Sequence, residues 1–185
     1  MSIFVKIIFK EDKYMTEKVA KFMVSIFGAW AGTTMGKYFI VFVISLLPIL
    51  ELRGGLIASS ILGLPMLESF IVCFIGNIVP IPFILWFITP LFDKLKKTKH
   101  FHKLVFKLEA KANKKKDQIE NLKYLGLFLF VGIPLPGTGA WTGCLIAALL
   151  GLDKKKSMLA AIMGVIMAGI IMLILSYGVL GNLIN

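Results

Sequence analysis

YLGLFLFVGIPLPGTGAWTGCLIAALLGL, residues Tyr124–Leu152, is the stretch that decides the fold. It carries no charge over 29 residues, yet Lys123 precedes it and Asp153-Lys-Lys-Lys156 follows it. Roughly 20 mostly apolar residues cross a hydrocarbon core about 30 Å thick, and a straight helix of this length would run about 43 Å. Basic residues gather on the cytoplasmic side of a membrane, so both ends belong inside. A segment with both ends on one side must enter and turn back. Its middle supplies the turn, Pro134-Leu-Pro-Gly-Thr-Gly139, and a re-entrant helical hairpin is expected.

The rest of the chain fits that reading. Of 185 residues, 58% are hydrophobic and 17% charged, against about 25% charged in soluble domains. Ser69–Phe92 and Ser157–Asn185 are uncharged over 24 and 29 residues and read as full spans. The net charge of +11 is concentrated between spans: Asp93–Lys123 holds eleven lysines against four acids. That placement marks a cytoplasmic loop and argues against a nucleic-acid partner. Within the loop, Phe101, Leu104, Val105 and Leu108 recur at helical spacing among lysines. An amphipathic helix lying on the inner leaflet and a solvated helical linker fit this pattern equally. The N-terminus is too soon interrupted by Lys10, Glu11 and Asp12 to be a cleaved signal. Cys73 and Cys144 lie in apolar stretches and read as buried thiols. Both histidines lie in the basic loop, so no metal site and no cofactor are expected.

A shift of 88 positions aligns the chain with itself. Pro48 falls on Pro136, Gly55 on Gly143, Leu62-Gly63-Leu64 on Leu150-Gly151-Leu152, and Gly76 on Gly164. Glycine and proline mark backbone geometry, so their register outweighs that of the leucines. The expected architecture is an all-α integral membrane protein built as an inverted repeat. Each half is a re-entrant helical hairpin plus one transmembrane helix, the plan of many transporters. The single membrane domain, 1–185, divides into an N-terminal helix region (1–37), repeat 1 (38–92), the basic cytoplasmic loop with its helix (93–123) and repeat 2 (124–185). In repeat 1 the limbs are Tyr38–Leu50 and Gly54–Leu67, with the break at Glu51-Leu-Arg53. The turn Gly63–Glu68 lacks lysine and suits the outer side. Phe22–Gly36 is expected as a further span. The N-terminus and the 93–123 loop are then cytoplasmic, in a multi-pass protein of the cell (plasma) membrane.

Chemistry is expected where the hairpins break. Glu51 and Arg53 are ionisable residues at membrane depth, which usually line a cavity or pair. Arg53 suits a carboxylate or phosphate, Glu51 a proton, and an ion pair between them is the plain structural alternative. Gly54 follows them. In the second break, Pro134 and Pro136 stop helical hydrogen bonding, while Gly137, Thr138 and Gly139 leave backbone N–H groups free to bind an anion. Trp141 and Thr142 flank them. The alternative there is close helix packing. Asn77, beside Pro80 and Pro82, reads first as an interhelical hydrogen bond and second as a ligand. No nucleophile–base set and no dinucleotide fingerprint is present, so no catalytic residue is assigned and an enzyme is not expected.

Pro48-Ile-Leu-Glu-Leu-Arg-Gly-Gly55, Gly76-Asn77 with Pro80-Ile-Pro82, and Pro134-Leu-Pro-Gly-Thr-Gly-Ala-Trp-Thr-Gly143 resemble the motifs of the putative small multidrug export protein family. The resemblance covers about Tyr38 to Gly181, and it is more distantly similar to DedA-like membrane proteins, which share paired re-entrant hairpins and are implicated in moving lipid carriers. The resemblance implies efflux; together with the residues above, the expectation is a secondary membrane transporter that can couple to protons or cations, with its site between the two hairpin tips. A translocase of an anionic lipid or lipid-phosphate carrier and a non-transporting membrane scaffold are the rivals. Partners are membrane lipids and a small-molecule or lipid substrate, with a homo-oligomer left open.

Overall fold

The computed structural model describes residues 3–96, 123–135 and 137–184. Among them every regular element is helical. Two helical stretches are long and apolar enough to cross a membrane: Met66–Ile88, with mean hydropathy 2.3, and Lys154–Tyr177, with 2.8. Large apolar side chains on these stretches stay exposed, among them Phe83, Phe87, Leu159 and Ile174, as expected of faces whose solvent is lipid. The expected amphipathic helix at 101–108 and Pro136 lie outside the described residues.

Helix α1 (Ile3–Phe27) ends at Gly28, whose φ of +53° a glycine adopts without cost. A short 3-10 turn, Gly28–Gly32, leads to Thr33, whose hydroxyl accepts the Gly36 N–H and starts α2 (Thr34–Leu46). The expected span Phe22–Gly36 is therefore corrected: it is the end of one helix, a turn and the start of another.

The first break also differs from expectation. Helix α2 stops at Leu46 and α3 (Glu51–Ile61) starts at Glu51, so the break is 47–50 and Glu51-Leu-Arg53 forms the first turn of α3. Pro48 explains the shift, because a residue before proline is pushed out of the helical region; Leu47 has φ −72° and ψ 138°. Helices α4 (Met66–Ile78) and α5 (Pro80–Lys96) follow, with Pro80 at the opening position of α5, where its missing N–H costs least. In the second half, α6 (Lys123–Gly132) and α7 (Ala140–Leu149) flank the Pro/Gly stretch, and α8 (Lys154–Ile184) closes the chain.

Two helix ends match each other in detail. Helix α3 ends with Leu64 N–H bonded to Ser59 O (3.0 Å) and Gly63 N–H to Ser60 O (3.2 Å); α7 ends with Leu152 N–H bonded to Ala147 O (3.0 Å) and Gly151 N–H to Ala148 O (3.2 Å). Each of these four pairs of atoms is displaced by 88. Gly63 and Gly151 have φ of +68° and +66°, the left-handed turn that closes a helix C-terminus. A Cβ on Gly76 would meet Phe42 O at 2.8 Å, and one on Gly164 would meet Phe128 O at 2.8 Å, so α4 lies backbone-close on α2 as α8 does on α6. At the helix ends Tyr38 hydroxyl bonds the Glu68 carboxylate, while Lys156 Nζ sits 5.8 Å from the Tyr124 ring centroid. Glu68 and Lys156 stand 88 residues apart and carry opposite charge, each beside a tyrosine.

Between halves, α3 packs on α8 and α7 on α5, while α1 lies against α3. The shared core is built from fully buried Ile40, Ile44, Leu52, Leu56, Ile81 and Val165. Cys73 and Cys144 are buried free thiols in that core.

Candidate functional site

The two breaks meet, and each satisfies the backbone groups that the other leaves open. Helix N-termini leave N–H groups without partners and C-termini leave carbonyls. At the start of α7, Ala140 N–H and Trp141 N–H both donate to the Glu51 carboxylate, each at 3.1 Å. In the second break, Arg53 donates from Nη1 to Leu135 O (2.6 Å) and from Nη2 to Thr138 O (3.0 Å). The exchange is mutual, since the Trp141 indole N–H donates to Leu46 O at the end of α2, 3.1 Å away. Thr138 fixes the loop from within: its hydroxyl lies within donating distance of both the Ile133 and Leu135 carbonyls, serving one at a time with its single hydrogen, and accepts the Leu135 N–H. Glu51 and Arg53 thus hold separate backbone partners and do not form the ion pair that their spacing allowed.

Glu51 reaches its place through an uncommon backbone. Its φ is +51°, the one positive value among the described non-glycine residues, and such positions carry a cost of order 1–3 kcal/mol unless held by their surroundings. Its counterpart at a displacement of 88, Gly139, has φ +135°. A Cβ on Gly139 would collide with the Glu51 carboxylate, so glycine there makes room for the charge.

Beside this junction lies a small, partly open cavity of about 10 Å³, room for about one water molecule. Glu51, Arg53, Asn77, Pro134, Thr138 and Gly139 line it, together with apolar Leu52, Val131, Val165 and Ala168. Asn77 is 3% exposed, and its Oδ1 has no hydrogen-bond partner.

Of the residues singled out in the sequence, six therefore share the cavity and Trp141 joins the two breaks. Gly54 turns the other way, toward Leu50 and Thr16. Gly137 has φ +78° and open space around it, and Thr142, half-buried, is not part of the lining. Val131, Val165 and Ala168 were not anticipated, although Val165 stands 88 residues from Asn77 and the repeat register marks it. The carbonyls of Leu46, Leu135 and Thr138 carry no side-chain signal at all.

Long apolar helices whose outer faces are greasy and whose polar groups close on one another internally define an all-helical membrane protein. The sequence model described as putative small multi-drug export protein matches residues 51–171, about two thirds of the chain, and the chain belongs to that family. No curated protein and no solved structure matches it, and the likeness to DedA-like proteins gains no support from these comparisons.

Proposed function

We propose that the protein is a secondary membrane transporter whose site lies between two re-entrant hairpin tips, α2–α3 and α6–α7, facing the membrane from opposite sides in an inverted repeat. The observation that carries this reading is the reciprocal capping of the two breaks beside a small cavity that Glu51, Arg53 and Asn77 line together with apolar groups. Unpaired backbone and ionisable groups are tolerated at membrane depth only inside protein or beside water, and a merely structural protein has no need of either. The matched C-terminal turns displaced by 88, the paired close approaches at Gly76 and Gly164, and the opposite charges of Glu68 and Lys156 support the inverted arrangement. The family description supports export of small molecules. In this closed form the cavity is far smaller than a drug-sized ligand, so transport requires the two tips to part. Glu51 is the group that suits coupling to protons or another cation.

A second reading, translocation of an anionic lipid or lipid phosphate, rests on Arg53 and the α7 N–H groups, which match a phosphate. Flux into proteoliposomes tests both. Accumulation of soluble drugs under an imposed proton or sodium gradient supports export. Transbilayer movement of a labelled anionic lipid, without drug flux, supports the second reading. Absence of both sinks transport altogether.

A further inference from the structure

The start of α7 is an anion site that the chain fills with its own carboxylate. Free N–H groups at a helix N-terminus attract negative charge, and here Ala140 and Trp141 hold Glu51 from the opposite hairpin. Glu51 does so from φ +51°, a backbone conformation that in a non-glycine residue persists only while its surroundings hold it.

Asn77 supplies the second, independent observation. Its Oδ1 is buried, unpartnered, and lines the cavity that Glu51 also lines. An ionised carboxylate cannot serve it, because both groups only accept hydrogen bonds; a protonated carboxyl can, because it carries an O–H donor. The structure therefore contains a receiver for Glu51 that the docked, ionised form does not use.

We propose that the Glu51 carboxylate is an internal stand-in for an anionic ligand. When Glu51 takes a proton from the aqueous phase it leaves α7 and donates its O–H to Asn77 Oδ1. An oxygen of a ligand carboxylate or phosphate then accepts the Ala140 and Trp141 N–H groups. This rests on reading the junction as a transport site, and it specifies what that site takes: one anionic group together with one proton. Charge requires the pairing. Two negative groups at one helix end repel strongly at low dielectric, whereas a protonated Glu51 with a bound anion leaves the local charge unchanged. The charged and titratable groups facing Glu51 are Arg53 on its own helix and Cys144 on α7. Helices α4, α6 and α8 contribute Asn77, Val131, Val165 and Ala168 to the lining, none of which titrates; α1 brings Thr16 to the neighbouring Gly54, and its Glu17 and Lys21 stand further along α3, beside Ala58 and Ile61.

The test uses the full chain purified in a maltoside detergent, with dimethyl phosphate as the probe because its charge does not change near neutral pH. Binding is followed by Trp141 fluorescence after Trp30 and Trp86 are replaced by Phe. Affinity of the otherwise unaltered protein rises about tenfold for each pH unit lowered until Glu51 is fully protonated, the linkage expected for one coupled proton. Glu51→Gln binds at least about tenfold tighter than the parent at alkaline pH and loses the pH dependence. Asn77→Leu weakens binding about tenfold on the acid side. Added phosphatidylglycerol displaces the probe if the natural anion is a lipid headgroup, and leaves it in place if that anion is a free solute; both results support the site. A parent affinity independent of pH, or a Glu51→Gln protein that binds no tighter, overturns the inference without the help of Asn77→Leu. Binding as described with no flux of any substrate sinks the transport reading and leaves this one. Flux with pH-independent binding does the reverse.

Discussion

Gly139 leaves the space that the Glu51 carboxylate occupies: a Cβ there would run into the carboxylate, and the φ of +135° is one that other residues rarely adopt. Gly139→Ala is thus expected to lower stability through both a collision and backbone strain, by about 2–4 kcal/mol. Gly137→Ala meets only strain, since nothing lies within 4 Å of its added methyl, and is expected to cost about 1 kcal/mol. Thermal unfolding of the purified proteins in detergent checks the order; equal losses would mean that the carboxylate is not lodged against Gly139.

Arg53→Gln removes the donor pair to Leu135 O and Thr138 O. Hydrogen bonds from a charged group are worth about 1.5–3 kcal/mol, so both stability and flux are expected to fall. Arg53→Lys recovers them only partly, because a point charge does not reproduce the guanidinium fork. The double change Glu51→Gln with Arg53→Gln should not rescue either loss. The two side chains serve different backbone groups, so removing both leaves both sets open. A fully stable, active double variant would show that they act on each other after all.

Trp141→Phe keeps most of the aromatic packing and loses the indole N–H to Leu46 O. A loss of about 1 kcal/mol is expected, and Trp141→Ala costs several times more through the cavity left behind. If Phe and Ala are equally harmful, the hydrogen bond and not the packing dominates the contact.

Single cysteines at Lys123, Lys155 and Glu68, in a background where Cys73 and Cys144 are replaced, report the proposed topology. Positions 123 and 155 should react with an impermeant maleimide only from the cytoplasmic side, and position 68 only from outside. The two basic blocks around one uncharged stretch motivate the first pair, and the opposite charges of Glu68 and Lys156, 88 residues apart, motivate the third. Labelling of position 155 from outside would turn Tyr124–Leu152 into a full crossing.

Hydropathy and turn chemistry are local, and what depends on them was legible in the sequence. Uncharged stretches marked the membrane class, Pro134–Gly139 marked the second break, and the register of Gly63 with Gly151 anticipated a short turn at the same place in each half. Local rules also placed the first break wrongly by a turn, because charge at Glu51 and Arg53 drew attention from Pro48, whose effect falls on the residue before it. The N-terminal span failed for the same kind of reason, as apolar content from Phe22 to Gly36 hid the break at Gly28. What only the tertiary structure decided is the choice of partners. Glu51 and Arg53 are two residues apart and of opposite charge, yet each bonds backbone more than 80 residues away. Bringing one break against the other offers open N–H and C=O groups away from bulk water, and satisfying them outweighs an ion pair between neighbours. Asn77 receives its unpartnered oxygen from the same docking, which no spacing along the chain encodes.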